Sequence, residues 1–485
     1  MSSNYIKFTM NQIKIPLGEP LSANDFALSP SFPLLDHIIA YELADAVLLK
    51  KLTTIYPRFG LHPYIQKFIE EEITKQENYS FYPFCSEFSA NLAHQYLLKN
   101  IDRQSSGSYI LEKKSIYFVA VRSEYKKYLS DFWQFTGIGL GARKAYSLLK
   151  NKNVIPSDNQ SHKNIINKLS ALYQQPETQI KLFPSGMTAY YAILNLIYKK
   201  FSGPILHVGF PYTDNLKLPQ HLFSGVELVE ADDINNILEN SESTKFSAIS
   251  FECPSNPQLN TPDINQLKFL SKKLSIPLIA DDTLSTPYNT NLINSVDFVY
   301  SSLSKSFSGS GNVMAGSLCL NKNSNFFKKS ELSFLKEFPG LCQYDAFVLN
   351  ADSESFVERI SLQNENCWAI YKFLAHHPRI IEIYHTSQSP NYYQVQKSIG
   401  RNGFIISFLL EGGFNSFKYF YDNFPLRKGP SLGNSFTMLC PYTLLAHFHE
   451  IKFTGRHNIS PYLLRLSIGI ESADEIISAI SKLLN

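Results

Sequence analysis

The sequence has few charges, and it has no long apolar run. Charged residues make up 18% of the 485 residues and the net charge is only +3, which does not favour a nucleic-acid or membrane-surface partner. No apolar run is long enough to cross a bilayer, and the first residues lack the basic-then-apolar layout of a secretion signal. These features predict a cytoplasmic protein with no nucleic-acid partner and no membrane contact.

Cysteine is also scarce and scattered. The six cysteines contain no C-x-x-C pair and stand at Cys85, Cys253, Cys319, Cys342, Cys367 and Cys440. This spacing is typical of reduced thiols in an intracellular protein. His447 and His449 could pair on a metal, but no cysteine or carboxylate cluster accompanies them, so we expect no metal site.

What the sequence does contain is a lysine among small hydroxyl residues. Lys305 lies in the stretch SSLSKSFSG at 301–309, downstream of an apolar run that ends at Asp281. A pyridoxal phosphate (PLP) enzyme needs an amine that forms a Schiff base with the cofactor aldehyde and hydroxyls that hold its phosphate. It also needs a carboxylate that pairs with the protonated pyridine nitrogen. Lys305 and Asp281 therefore predict a PLP site.

The order of elements around Lys305 favours an α/β fold. Apolar runs predict strands over 246–252, 275–280 and 296–300, and helical spacing predicts a helix over 263–275. This order is typical of a parallel sheet, in which ligands lie beyond the carboxyl ends of the strands. Asp281 and Lys305 both follow such strand ends.

Two further segments fit the same pocket. Residues 180–199 predict a short strand, a turn at 185–187 and a buried helix, whose free backbone N–H groups suit a phosphate. Residues 205–212 predict a strand ending at Tyr212, which could stack on a pyridine ring. Each feature alone is more typical of ordinary packing, and it supports a cofactor site only in combination with Lys305.

Several motifs occur in a fixed order along the chain. They are S-G-M at 185–187, E-x-P-S-N-P at 252–257, A-D-D-T-x-x-T-P at 280–287, S-x-S-K at 302–305 and L-R-L-S-I-G-I-E at 464–471. Over roughly residues 165–485 the chain thereby resembles the cysteine and methionine metabolism family of PLP enzymes. Three more stretches, Y-P-R-F at 56–59, residues 132–145 and residues 429–447, resemble the fungal-type cystathionine γ-synthase subgroup.

The resemblance implies the architecture of a fold-type I PLP-dependent transferase of the α/β class. A large mixed or parallel sheet would form the cofactor domain, followed by a smaller C-terminal α/β domain. The implied regions are an N-terminal extension with subunit contacts over 1–164, a PLP-binding domain over 165–347 and a small domain over 348–485. The resemblance also implies a homodimer or homotetramer with shared active sites.

The resemblance further implies roles for single residues. The catalytic residues would be the Schiff-base lysine Lys305, the ring-stacking Tyr212 and the pyridine partner Asp281. Further cofactor contacts would come from Ser185, Gly186, Met187, Asn256, Ser302 and Ser304. The substrate would be held by Arg465, Asn256 and Ser431. A two-pronged guanidinium such as that of Arg465 suits a carboxylate.

One phosphate ligand stays open at this point. In the resembling family a second subunit lends a Tyr-x-Arg motif to the phosphate. Tyr56 and Arg58 form such a motif but lie far upstream, whereas Arg143 lies nearer the expected place without the tyrosine. Position along the chain favours Arg143, with Tyr56 and Arg58 as the alternative.

The implied reaction is γ-replacement on an O-acylated homoserine by a thiol, of the O-succinylhomoserine (thiol)-lyase type. With cysteine as the thiol the product is cystathionine, a step of transsulfuration in methionine biosynthesis. Within the family the alternatives are β- or γ-elimination, or substitution by another nucleophile in specialised metabolism. From another class, the chain could be a non-catalytic binding protein with the PLP fold.

Overall fold

The computed structural model describes residues 14–74, 76–150, 158, 160–230, 233, 234, 237 and 245–485. Three sheets of three, seven and five strands follow one another along the chain. Each sheet lies within one of the three predicted regions, whose boundaries stay a prediction. In the described part of the chain, no helix is both long and apolar enough to cross a membrane.

The N-terminal region contains short helices and an antiparallel sheet. Its helices are Leu35–Glu42 (α1), Ala46–Leu49 (α2), Pro63–Glu72 (α3), Glu87–Asn100 (α4), Arg103–Ser106 (α5), Lys126–Thr136 (α6) and Ala142–Leu149 (α7). Its strands are Tyr79–Phe84 (β1), Tyr109–Lys113 (β2) and Ile116–Arg122 (β3), in the order β1-β3-β2.

The first residues of this region, 14–60, are built into the rest of the molecule. Four of their apolar side chains are buried in the core of the C-terminal sheet: Phe32, Leu35, Ile38 and Leu48. The Phe32 amide donates to the Lys428 carbonyl at 3.1 Å, and the Trp133 indole donates to the Pro57 carbonyl at 2.8 Å. The C-terminal sheet therefore fixes the chain around residues 32–48, and α6 fixes it at residue 57.

The central region is the mixed sheet that the sequence predicts. Its strands are Ile180–Phe183 (β4), Ile205–Val208 (β5), Val226–Val229 (β6), Ala248–Glu252 (β7), Leu278–Asp281 (β8), Phe298–Ser302 (β9) and Gly316–Leu320 (β10). The strand order is β4-β10-β9-β8-β7-β5-β6. Strands β5 to β9 are parallel, and β10 is antiparallel to both of its neighbours. The α/β class is confirmed.

Helices precede, connect and follow the strands of this sheet along the chain. They are Gln160–Tyr173 (α8), Gly186–Ile197 (α9), Thr213–Leu222 (α10), Ile264–Leu274 (α11), Thr286–Asn289 (α12), Lys329–Leu332 (α13) and Gln343–Asp352 (α14). The predicted helix over 263–275 corresponds to α11, and the Asp263 carboxylate caps it by accepting from the Asn265 and Gln266 amides. The predicted strand over 205–212 is shorter, because Gly209 adopts φ +87° and turns the chain out of the sheet.

The C-terminal region carries the smaller sheet. Its helices are Phe356–Ala375 (α15), Gly413–Asn423 (α16), Tyr442–Ala446 (α17), Ile451–Arg456 (α18) and Ala473–Leu484 (α19). Its strands are Ile380–Tyr384 (β11), Ile405–Leu410 (β12), Arg427–Lys428 (β13), Met438–Pro441 (β14) and Leu464–Ser467 (β15), in the order β11-β12-β15-β14-β13. Residue Arg465 therefore lies on the central strand of this sheet.

Candidate active site

A cavity of about 650 Å³ lies where three parallel strands of the central sheet end. The last residues of β7, β8 and β9 are Glu252, Asp281 and Ser302, and all three line the cavity. This is the edge at which parallel sheets bind ligands. Most of the predicted site residues also line it: Tyr56, Arg58, Ser185, Gly186, Met187, Tyr212, Asn256, Asp281, Ser302, Lys305, Ser431 and Arg465.

Lys305 projects into this cavity from the turn that follows β9. Its Nζ atom donates to Ser431 Oγ at 3.3 Å and lies 4.7 Å from the centre of the Tyr56 ring. Burial lowers the pKa of Lys305, and the neighbouring charges of Arg58 and Arg465 lower it further, against the raising effect of Tyr56. A neutral amine is the nucleophilic form, so this environment suits a lysine that attacks an aldehyde.

Asp281 faces the cavity without a positively charged partner in the described residues. Its Oδ1 atom accepts from the Thr283 amide at 2.9 Å, and its Oδ2 atom accepts from Asn215 Nδ2 at 3.2 Å. Burial raises the pKa of Asp281. A protonated ring nitrogen would supply the missing counter-charge.

Asp282 points to the other side of the strand. It is 1% exposed and accepts from the Tyr173 hydroxyl of α8 at 2.9 Å. Side chains alternate between the faces of a strand, so only one of the two aspartates can reach the cavity. The geometry favours Asp281.

The start of α9 has the form of a phosphate cradle. Ser185 caps the helix by accepting from the Thr188 amide at 3.0 Å, and the following N–H groups have no partner inside the helix. A Cβ atom on Gly186 would lie 3.1 Å from the Ser302 backbone, so a larger residue would require the Ser302 backbone to shift by a few tenths of an ångström. These N–H donors, the Lys305 amine and the Asp281 carboxylate, which has no cationic partner in the described residues, together fit PLP.

Tyr56 and Arg58 reach this cavity from their own chain. Arg58 Nη1 lies 2.5 Å from Asp214 Oδ2, and its Nη2 donates to the Tyr212 hydroxyl at 2.7 Å. Burial lowers the pKa of Arg58, but Tyr212, Asp214 and Tyr56 outweigh that effect and raise it. Burial raises the pKa of Tyr56, but the charges of Lys305 and Arg58 outweigh it and the net shift is downward.

Two of the predicted cofactor ligands lie elsewhere. Arg143 pairs with Asp345 at 2.9 Å, stacks on Phe26 at 4.6 Å and lines a separate small recess. The geometry therefore reverses the preference for Arg143 over Arg58. The Ser304 hydroxyl accepts from the Ala315 amide at 2.9 Å and donates to its carbonyl at 3.3 Å, so it does not support the phosphate role.

Arg58→Ala should weaken PLP binding by about 10- to 100-fold, since hydrogen bonds to charged groups contribute about 1.5–3 kcal/mol. Arg143→Ala, the matched control, should leave the affinity close to that of the wild type. Titrating each apoprotein with PLP and following the visible absorption measures both values. A weaker affinity in Arg143→Ala alone would contradict the assignment.

Mixing Lys305→Ala chains with Arg58→Ala chains should not restore activity. Both residues line one cavity of one chain, so no hybrid assembly regains a cavity that carries both. This differs from the expectation that a partner subunit lends the tyrosine and arginine. Recovered activity after demonstrated subunit exchange would show that Arg58 works across subunits.

Arg465 also lines the cavity, and its hydrogen-bond partners do not balance its positive charge. Its Nη1 atom donates to Asn256 Oδ1 at 3.1 Å and its Nη2 atom to the Ser431 carbonyl at 3.2 Å. The Nε atom is buried without a partner. Within the described residues its contacts are an amide, carbonyls, the Cys440 thiol and the Tyr442 ring, and none is a carboxylate. A buried guanidinium in this state suits the carboxylate of a substrate.

Glu252 and Asn215 are site residues for which the sequence analysis assigned no role. Asn215 Nδ2 donates to Glu252 Oε1 at 2.8 Å and also contacts Asp281, so it bridges the two carboxyl groups. Burial, reinforced by the charge of Asp281, raises the pKa of Glu252 to about 8. Glu252 begins the motif E-x-P-S-N-P and ends a buried strand, which is the signal that could have identified it.

Comparison with known proteins agrees with this geometry. The model of the Cys/Met metabolism PLP-dependent enzyme family matches residues 156–485. A cystathionine gamma-synthase from Neurospora crassa is 32% identical over 346 residues, which cover 68% of this chain and 55% of that protein. The chain thus spans a little over half the length of that relative.

A second relative and a solved structure extend the comparison. The cystathionine gamma-synthase-like protein ankD from Aspergillus thermomutatus is 24% identical over 534 aligned positions, covering 97% of this chain and 94% of that protein. A crystal structure of cystathionine gamma-lyase from Lactobacillus plantarum superposes with a TM-score of 0.59 at 21% identity, covering 67% of this chain and 86% of that one. The structural similarity shows the shared fold.

Proposed function

The chain belongs to the Cys/Met metabolism PLP-dependent enzyme family, and from this membership we propose that it replaces the γ-substituent of an O-acylated homoserine with a thiol. Cysteine is the proposed thiol and cystathionine the product. The observation that carries the proposal is that Lys305 and Arg465 line the same cavity, where the guanidinium of Arg465 has no carboxylate partner among the described residues. An amino-acid substrate offers an α-carbon for the first and a carboxylate for the second.

Each side chain has one task in this reaction. PLP, when bound, supplies an electron sink that stabilises negative charge on the substrate. Arg465 fixes the α-carboxylate, and Lys305 Nζ takes the proton from Cα and returns it at the end of the cycle. Tyr56, with its lowered pKa beside Lys305, can exchange a proton with that amine. The carboxylate of Asp281 would balance the positive charge on the ring nitrogen of PLP.

A cytoplasmic location and a homodimer or homotetramer are part of the same proposal. The scattered cysteines support the location, because they form no disulfide among the described residues. The family resemblance supports self-association. Size-exclusion chromatography with light scattering measures the oligomer directly.

A different nucleophile is the second candidate. The relative ankD, which aligns with nearly the whole chain, is named a cystathionine gamma-synthase-like protein and not a cystathionine gamma-synthase. The identity of the acyl group on the homoserine is a separate question, which the same assay answers. Purified holoprotein should be incubated with O-succinyl-, O-acetyl- and O-phosphohomoserine in the presence of cysteine. Consumption of none of the three would overturn the proposed substrate class.

Arg465→Ala should lower kcat/KM for the acylated homoserine by roughly 30-fold to several thousand-fold. Losing one partner of a buried charge pair costs about 2–5 kcal/mol. Arg465→Lys should recover little, because a planar two-donor group is lost. PLP absorption and the melting temperature should stay close to wild type, and the exposed Arg456→Ala serves as the control. Unchanged kinetics in Arg465→Ala would assign the residue a structural role.

A further inference from the structure

Three polar side chains form a hydrogen-bonded row behind one wall of the cavity. His447 is 2% exposed, and its Nδ1 atom lies 3.1 Å from Glu450 Oε2. On the other side of the ring, its Nε2 atom lies 3.3 Å from Thr213 Oγ1. The tasks assigned above to Lys305, Asp281 and Arg465 do not involve this row.

The chemistry of the carboxylate fixes the roles of the two ring nitrogens. The hydrogen bond from His447 and the nearby Lys217 outweigh burial and lower the pKa of Glu450 to about 2. An ionised carboxylate only accepts hydrogen bonds, so the proton of the neutral imidazole lies on Nδ1. Nε2 is then an acceptor, aimed at the Thr213 hydroxyl.

The row contacts the cavity through Thr213. Thr213 lines the cavity together with Lys305 and Arg465. Tyr442 also lines it and lies 3.4 Å from His447 Nε2, but its hydroxyl donates to the Asn256 carbonyl at 3.2 Å. Thr213 is therefore the shortest hydrogen-bonded connection between the cavity and the histidine.

We propose that His447, oriented by Glu450, accepts the proton of the incoming thiol through the hydroxyl group of Thr213. The S–H bond breaks and its proton passes to Thr213 Oγ1, while the proton of that hydroxyl moves to His447 Nε2. The acyl group leaves the γ-carbon as a carboxylate with the C–O electron pair, and the thiolate then forms the C–S bond at that carbon. This inference rests on the proposed γ-replacement.

The surroundings favour a proton acceptor at this position. The Glu450 carboxylate stabilises the imidazolium that forms, as a carboxylate does beside the histidine of a nucleophile–histidine–acid triad. The Phe210 ring packs with its centre 5.4 Å from that of the imidazole ring, and Lys217 contacts Glu450 Oε1 at 3.0 Å. His447 thus acts through Thr213 and is a positioning and proton-relay residue.

Comparing cysteine with selenocysteine separates this role from a structural one. A selenol is already ionised near neutral pH and needs no base, whereas a thiol with a pKa near 8.5 does. In His447→Gln, kcat/KM for cysteine should fall by about 10²–10⁴-fold, the usual contribution of a proton-transfer group. The value for selenocysteine, kept reduced during the assay, should stay within a few-fold of the wild-type value.

Variants of Thr213 and Glu450 test the other two members of the row. Thr213→Val should copy the selective loss for cysteine, Thr213→Ser should retain activity, and Glu450→Gln should show a weaker selective loss. His449→Gln is the matched control, because His449 lies on the surface, where it contacts the Glu42 carbonyl and the Phe448 ring. PLP absorption and the melting temperature of His447→Gln should equal those of the wild type.

Two outcomes would overturn the relay. Equal losses with both nucleophiles in His447→Gln would make the histidine structural, and no loss with either would make it irrelevant. Wild-type turnover of the acylated homoserine with cysteine checks the proposed function separately. Its absence would overturn both proposals, whereas normal wild-type turnover with equal losses in the variant would overturn only the relay.

Discussion

Lys305→Ala should lose the visible absorption band of the bound cofactor and nearly all turnover. The variant lacks both the amine that links covalently to PLP and the base that moves the substrate protons. Proton transfer by a positioned side chain alone contributes about 10²–10⁴-fold, and the missing covalent link adds to that loss. We therefore expect a reduction in kcat of more than about 10³-fold.

A chemical trap identifies the lysine independently of activity. Reducing the holoprotein with borohydride should fix the cofactor on the peptide that contains Lys305, as read by mass spectrometry. Lys322→Ala, which removes an exposed lysine from another part of the same domain, should behave as the wild type. A wild-type spectrum in Lys305→Ala, or a label on another lysine, would contradict the assignment.

Asp281→Asn should still bind PLP but lose turnover by orders of magnitude. The amide keeps the hydrogen-bond acceptor but not the negative charge that balances a protonated ring nitrogen in a site shielded from water. Removing one charge of a buried pair costs about 2–5 kcal/mol, which corresponds to roughly 30-fold to several thousand-fold in rate. Steady-state kinetics on the acylated homoserine, with PLP absorption recorded in parallel, measure the effect.

Asp282→Asn is the internal control for this prediction. The asparagine oxygen can still accept the hydrogen bond of Tyr173, and the side chain stays outside the cavity. Activity should therefore remain near the wild-type value, with any change appearing in the melting temperature. If Asp282→Asn abolished turnover while Asp281→Asn did not, the register of β8 at the site would be wrong.

The sequence predicted the central sheet because its signals are local. Buried strands β7, β8 and β9 appear as short apolar runs, and α11 is marked by its spacing and its Asp263 cap. Since parallel strands end at one edge, Asp281 and Ser302 could be placed together before any contact was known. The family resemblance then added Arg465 and gave Tyr212, already placed at a predicted strand end, its role at the cofactor ring.

The choice between Arg58 and Arg143 could not be made from local pattern. Residues 14–60 are fixed by the core of a sheet more than 300 positions further along the chain. Their path depends on contacts such as Phe32 with the C-terminal core, and no periodicity reports such contacts. Arg143 looked suitable from chain position, but its side chain lies outside the cavity, against Asp345, which is also distant in sequence.

Hydroxyl orientation was the other feature that the pattern could not supply. Ser302 and Ser304 flank the same turn and look equivalent in the sequence. Ser302 ends β9 and faces the cavity, whereas the Ser304 side chain turns back to the Ala315 backbone. The row of Thr213, His447 and Glu450 was missed for a different reason, because it joins two segments far apart in the chain.

The most direct test of the central claim is product analysis on the purified holoprotein with one acylated homoserine, with and without cysteine. If the enzyme catalyses γ-replacement, cysteine is consumed in step with the acyl donor and cystathionine accumulates. Formation of 2-oxobutanoate and ammonia at the same rate with and without cysteine would show elimination and contradict γ-replacement.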